Sequence, residues 1–195
     1  TNANDSTSNN FDGTVNGATW TTGYLNNGLS FDGSDYVEFP TNTGMATDVG
    51  SVSFWFKTSH DFTNNGMMFY GADHSNGNGF GGGNELHIHM NADETIGMYI
   101  DGPETHVNFA TTGSYGDNTW YHLAATWDIN GSAVLYINGT SVASQTHDAN
   151  NFGFTVIMRL GRPGQNQRLY TGLIDHVKIF DYVLNSAQVT ALANE

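Results

Sequence analysis

Between Asn118 and Thr140 the sequence NTWYHLAATWDINGSAVLYINGT alternates side chains with a period of two and is broken twice by turn residues. Within Trp120–Trp127, Tyr121, Leu123, Ala125 and Trp127 share one face while His122, Ala124 and Thr126 share the other, as in a strand with one buried side. Asp128-Ile129-Asn130-Gly131 and Asn138-Gly139 tolerate positive φ, so they predict reversals into a return strand at Ala133–Ile137 and a third run at Ser141–Ala143. A chain that contains such a meander has to cover its apolar side with a second sheet or with helices.

The rest of the sequence offers strands. Gly28–Phe39 reads as two of them around Asp32-Gly33, and Ser51–Lys57 sets Val52, Phe54 and Phe56 against Ser53, Trp55 and Lys57, as a central strand of a sandwich does. Met67–Tyr70, Glu85–Met90, Thr95–Asp101, Arg159–Gly161 and Gly172–Phe180 continue the pattern. The one convincing helix is Asn185–Ala193, with Asn185 as cap, Gln188 at the capping-box position and Leu184 stapling onto Val189. It is expected to seal one end of the sandwich. With 24 glycines, 12% charged residues and no break in composition, the chain reads as a single all-β domain over residues 1–195.

Charge narrows the partners. Five Lys plus Arg against nineteen Asp plus Glu give a net charge of −14, which repels nucleic-acid phosphates and anionic membrane surfaces. No apolar run approaches the roughly 18 residues of a membrane span, so no membrane insertion is expected. The absence of cysteine points to a bacterial exported or surface protein, hence an extracellular setting, and the start at Thr1 suggests one module of a larger chain. Fourteen Asp against five Glu suit calcium-ligating turns, or simply solubility in a salty medium.

Two stretches carry candidate chemistry. In the polar arm Thr1–Gly17, Asp5, Asn10 and Asp12 have a spacing that wraps one cation or, equally, builds an arm of Asx turns. In Gly71–Met90, GADHSNGNGFGGGNELHIHM, a glycine-rich loop brings Asp73, His74, Asn76, Asn78, Asn84 and Glu85 together as ligand-binding candidates. Oxygen ligands without lysine or arginine fit calcium, which can take two vicinal sugar hydroxyls directly. Glu85, His87 and His89 then share one face of a strand, with Tyr99 and Asp101 beside them on the expected partner. Such a polar row suits sugar recognition; two histidines alone make a poor transition-metal site. Arg162, Gln165, Asn166, Gln167 and Arg168 form a second polar loop, and three of the five cations lie within Arg159–Arg168. Such a cluster, Arg162 included, either meets a carboxylated or sulfated ligand through the paired donors of arginine or only neutralises neighbouring Asp.

The segments GLSFDGSDYVEF, SVSFWFK, NTWYHLAATWD, LYINGT and LGRPGQNQRLYTGLIDHVKIFDYVLNSAQVTAL, in that order, resemble the laminin G-like branch of the concanavalin A-like lectin/glucanase superfamily. The resemblance implies a jelly-roll β-sandwich of two antiparallel sheets with one short C-terminal helix, and binding sites in its loops or on its concave face. It also implies a structural calcium that pins the arm to the strand LIDHVKIF, with Asp5 and Asp175 as metal ligands and Asn10 and Asp12 as further ones. A carboxylate at Asp175 in an apolar strand needs either a cation or hydrogen-bond donors.

A catalytic reading finds little in the sequence. The five glutamates do not form the Glu-x-Asp-x-x-Glu strand of laminarinase-like enzymes, and His87-Ile88-His89 lacks the arginine-glutamate-arginine strand of the jelly-roll lyases it would resemble. The sequence therefore reads as a non-catalytic, calcium-dependent carbohydrate-binding module that meets a glycan or polysaccharide, from an adhesin or a polysaccharide-degrading enzyme. A protein-binding module and a lyase or hydrolase with an unfamiliar site are the alternatives.

Overall fold

The computed structural model describes residues 2–40, 48–72, 84–101, 106–128, 130–146, 157–163 and 167–195. Its strands are β1 (Thr14–Asn16), β2 (Thr19–Thr22), β3 (Asn27–Asp32), β4 (Tyr36–Glu38), β5 (Val49–Lys57), β6 (Gly66–Ala72) and β7 (Glu85–Met90). They continue as β8 (Ile96–Asp101), β9 (His106–Ala110), β10 (Tyr121–Asp128), β11 (Ser132–Ile137), β12 (Thr140–Thr146), β13 (Ile157–Leu160) and β14 (Thr171–Phe180), followed by helix α1 (Ser186–Ala193).

Two seven-stranded sheets pack face to face as a jelly-roll sandwich. The first has the order β1-β4-β13-β6-β7-β8-β9 and the second β12-β11-β10-β5-β14-β3-β2, and neighbouring strands are antiparallel. The alternation read from the sequence fixes the register. Phe54 and Val52 of β5 stand beside Leu123 and Ala125 of β10, and all four are fully buried in the core. Leu86, Ile88 and Met90 of β7, with Met98 and Ile100 of β8, fill the same core from the other sheet. Each such side chain stabilises the fold by roughly 1.5–3 kcal/mol.

Several expectations need revision. β1, β2 and β9 lie where the sequence offered only polar or weakly patterned residues. In β6 a bulge between Met67 and Phe69 breaks the alternation, so that Met68 and Phe69 both enter the core while Met67 and Tyr70 face the other way. The helix is capped as expected: Asn185 accepts from the Gln188 amide at 3.0 Å, and the Gln188 side chain accepts from the Asn185 amide at 2.9 Å. Rather than seal an end, it lies against the outer side of the second sheet, where Leu184 and Val189 pack on Ala124 with Tyr136 and Phe180 alongside. An outward alanine in a central strand leaves room for it.

Space at the core is used closely at Gly50, which pairs with Trp127. A Cβ there would fall 2.4 Å from the indole ring of that fully buried tryptophan. Gly50→Ala is therefore expected to lower stability by about 1–3 kcal/mol through overpacking, read as a lower urea midpoint with an unchanged slope.

Candidate functional site

The outer face of the first sheet is polar and aromatic along most of its width. Register places Glu38, Arg159, Tyr70, His87, Tyr99 and Asn108 in one row across β4, β13, β6, β7, β8 and β9. A neighbouring row runs Ala72, Glu85 and Asp101. Period two explains the arrangement: once the apolar residues of β7 and β8 turn inward, Glu85, His87, His89, Tyr99 and Asp101 have to turn outward.

Outward does not mean solvated here. Glu85 and His87 are fully buried, His89 is 5% exposed and Asp101 is 6% exposed, whereas Tyr99 and Arg168 are half-buried. His87 Nε2 stands 2.9 Å from Glu85 Oε2, and the His87 ring lies between Tyr70 and Tyr99 with centroids 5.1 Å from each. Burial holds His87 neutral below its ordinary range against the opposing pull of Glu85. The Tyr99 phenol is pushed up to about 12, first by burial and then by the charge of Asp101. Burial also lowers Arg168, while the charges of Glu85 and Tyr99 oppose that shift. The Arg168 backbone, at φ 57°, brings its carbonyl within 2.8 Å of the Met67 amide, which donates to it.

At the far end of the row the Arg159 guanidinium grips Glu38, with Nε at 2.7 Å and Nη2 at 2.5 Å from the same carboxylate oxygen. Arg159 and Arg162 also stand 4.8 and 4.2 Å from the centroid of the Tyr36 ring. Half of the sequence-derived ligand set thus falls on one sheet face: Glu85, His87 and His89 along β7, Tyr99 beside His87, and Arg162 beyond β13 against Tyr36. Asn84 is half-buried just ahead of β7. Asp73, His74, Asn76 and Asn78 lie outside the described residues. Tyr70 was not among the candidates, and Arg168 belongs to the second polar loop that the sequence singles out. The bulge in β6 hides Tyr70 from a period-two reading, and Arg168 reaches the face through a left-handed backbone that no pattern announces.

The metal candidates sit in hydrogen-bonded turns. The Asp5 carboxylate accepts from the amides of Thr7 and Phe11 and from the Thr7 hydroxyl at 2.7–3.0 Å, and these bonds hold its pKa below the usual range. Asp12 accepts from the Asp5 amide at 2.8 Å, and the Asn10 side chain donates to the Ser8 carbonyl. Asp175 accepts from the Leu25 and His176 amides at 2.8 and 2.7 Å, which fixes the β2–β3 turn and lays Tyr24 on Trp55 with ring centroids 3.5 Å apart. These partners are hydrogen donors rather than the oxygen shell that calcium takes, and among the described residues no three acidic or histidine side chains cluster as a metal site. Asp5 and Asp175 border one cleft, and each carboxylate accepts from neighbouring N–H groups.

The sequence profile described as the concanavalin A-like lectin/glucanases superfamily, Laminin_G_3, matches residues 31–190. The chain belongs to that family. Domain 4 of an extracellular GH43 arabinanase from Geobacillus stearothermophilus, in complex with arabinotriose, is similar at 25% identity and a TM-score of 0.76 over 98% of this chain and 93% of that one. The binding domain of Paraclostridial Mosquitocidal Protein 1 has 16% identity and a TM-score of 0.78, and the receptor binding domain of botulinum neurotoxin D has 19% identity and a TM-score of 0.77. Each covers 98% of this chain, which spans only 49% of theirs, and at such identities they show the fold alone. Among curated protein sequences none matches.

Three buried histidines, His87, His89 and His122, make the fold sensitive to acid. Burial depresses His89 to about 3, and His122, on the outer face of the second sheet, to about 4. Because these values lie below the ordinary 6.5, the unfolded chain binds protons that the folded one refuses. Stability is complete above about pH 6.5 and falls with pH from there down to the lowered values, by up to about 1.4 kcal/mol per pH unit for each histidine. The carboxylates of Asp5, Asp32, Asp93 and Glu195 are also lowered by their hydrogen bonds, and the stability they add is lost only as pH falls below the ordinary carboxylate range, outside this window. Urea unfolding is expected to show a loss of about 2–4 kcal/mol between pH 7.5 and pH 5. An unchanged midpoint would mean that these histidines are solvated in the folded protein.

Proposed function

We propose that the chain is a non-catalytic carbohydrate-binding module that meets a glycan on the outer face of the first sheet. The observation that carries this reading is the row from Glu38 to Asn108. Its base at His87 is dry and fixed, while Tyr36, Arg162, Arg168 and Tyr99 remain partly exposed above and beside it. Planar donors and phenol rings held in register can bond sugar hydroxyls and cover the C–H face of a pyranose or furanose ring. Pre-organisation matters because a sugar gains little from each exchanged hydrogen bond, so groups that need no ordering keep more of that gain.

The arabinotriose bound by the similar arabinanase domain supports this substrate class. By the same likeness the module works outside the cell as part of a larger exported protein. Calcium enters the proposal only through the oxygen-rich stretch that leads into Asn84 and Glu85, in a binding role. The arm and Asp175 hold the fold through N–H donors.

A glycan array, followed by calorimetry on arabino-oligosaccharides and other plant and bacterial polysaccharides, tests the assignment. Arg162→Ala is expected to weaken the Kd at least tenfold, about 1.4 kcal/mol, without shifting the melting temperature, and Tyr99→Phe to weaken it similarly while also lowering the melt, because the phenol bonds the nearly buried Asp101. Chelator is expected to reduce glycan binding while leaving the melt unchanged. Binding to peptides only would replace the reading with that of a protein-binding module, and new reducing ends or unsaturated products would make the chain an enzyme.

A further inference from the structure

The β2–β3 turn lays an aromatic ring on the outer face of the second sheet and fixes it there. The Leu25 amide donates to Asp175 of β14 at 2.8 Å, the Gly23 amide donates to the Asn26 carbonyl at 3.0 Å, and Asn26 holds a left-handed φ of 65°. Held in this way, the Tyr24 ring lies flat on Trp55, with centroids 3.5 Å apart and planes 13° from parallel. A ring has two faces. Trp55, itself 5% exposed, covers one of them, so the 42% exposure of Tyr24 belongs to the opposite face, the rim and the hydroxyl. Trp120, half-buried, stands beside that free face at 63° with centroids 6.2 Å apart, as a wall stands on a floor.

Lys57 completes the corner. It shares the outward side of β5 with Trp55, and the pairing of Phe56 with Tyr121 brings it alongside Trp120. Its ammonium is half-buried and makes no ion pair or hydrogen bond among the described residues, although acidic side chains outnumber cations nineteen to five in this chain. Covering Trp55 accounts for one face of Tyr24, and an aliphatic side chain would serve that purpose as well. The free face, the second ring standing over it and the unpaired ammonium are not explained by packing.

We infer that Tyr24, Trp120 and Lys57 form a second glycan site, on the opposite side of the sandwich from the row between Glu38 and Asn108. One sugar ring stacks its C–H face on Tyr24 and abuts Trp120, while Lys57 donates to a ring, hydroxyl or carboxylate oxygen. The surroundings favour a sugar over a polypeptide. The free face is flat and one ring wide, and β5 is paired along both edges here, with β10 and β14, so no backbone ladder is open to an added strand. A second copy of this chain would bring another charge of −14 to the same face. Because the two sites look away from each other, one module would join two polysaccharide strands. That bridging rests on the reading of the first sheet, whereas the site at Tyr24 stands without it.

The test titrates the full chain with arabinotriose, xylotriose, cellotriose and trigalacturonate, and with a panel of peptides, by calorimetry and tryptophan emission below the melting temperature of every variant. Tyr24→Leu keeps Trp55 covered but offers no ring, and Tyr24→Phe keeps the ring. For at least one of the four sugars, Trp120→Ala and Tyr24→Leu are expected to weaken the Kd by roughly tenfold, with Tyr24→Phe binding as the parent does. Lys57→Met is expected to weaken it by roughly threefold, and the emission shift on binding is expected to persist in Arg162→Ala. Sugar binding that is lost in Arg162→Ala and untouched by Trp120→Ala and Tyr24→Leu would overturn this site and leave the first-sheet reading standing. The reverse pattern keeps this site and removes the first. Equal losses in Tyr24→Phe and Tyr24→Leu, binding of none of the sugars, or ring-dependent binding of peptides alone would each overturn the inference.

Discussion

Everything on the outer faces depends on the packing of two inward rows, Val52, Phe54 and Phe56 with Leu123, Ala125 and Trp127 on one side and Leu86, Ile88 and Met90 with their neighbours on the other. Period two leaves no freedom once these are buried, because a slip of one residue in β7 would place Glu85 and His87 in the core and expose Leu86 and Ile88. The polar row is thus held by the hydrophobic effect acting on its alternate neighbours. Its members need spend little of their own interaction energy on being positioned.

The outer faces solve the resulting problem differently. On the second sheet α1 covers Ala124, while Tyr24, held down by Asp175, covers Trp55. On the first sheet the histidines themselves fill the space. The His89 ring occupies the room above Gly97, where a Cβ would meet its Nε2 at 2.4 Å. A neutral imidazole tolerates such a place; an imidazolium would not, and the depressed titration of His89 is the electrostatic expression of that packing. Packing density and protonation state are two descriptions of one constraint at this position.

Much of this was legible in the residues. The meander, the central strand at Ser51–Lys57, the helix cap at Asn185 and the shared face of Glu85, His87 and His89 follow from alternation and capping chemistry, which are local. What escaped is non-local. The strand at Thr19–Thr22 has four exposed residues and no apolar period, and exists because β3 pairs with it. Tyr70 was hidden by a bulge whose cause lies in the fit of Met68 and Phe69 to the core. For Asp175 the sequence posed the right question, a carboxylate in an apolar strand, but could not show that a turn 150 residues away supplies the N–H that answers it.

The placement of charge constrains what can meet the polar row. Of five cationic side chains in a molecule of net charge −14, three arginines are near this face. Arg159 is spent on Glu38, and Arg168 interacts with Glu85 and Tyr99, so much of their charge is answered inside the sheet. An anionic polymer would then approach against the field of the whole molecule and find little uncompensated positive charge when it arrived, although salt screens that approach beyond about 8 Å. A neutral saccharide suffers neither penalty. It can accept from the same guanidinium N–H groups through hydroxyl oxygens and donate to Glu38, so that the paired arginines act as rigid hydrogen-bond donors rather than as a counter-charge.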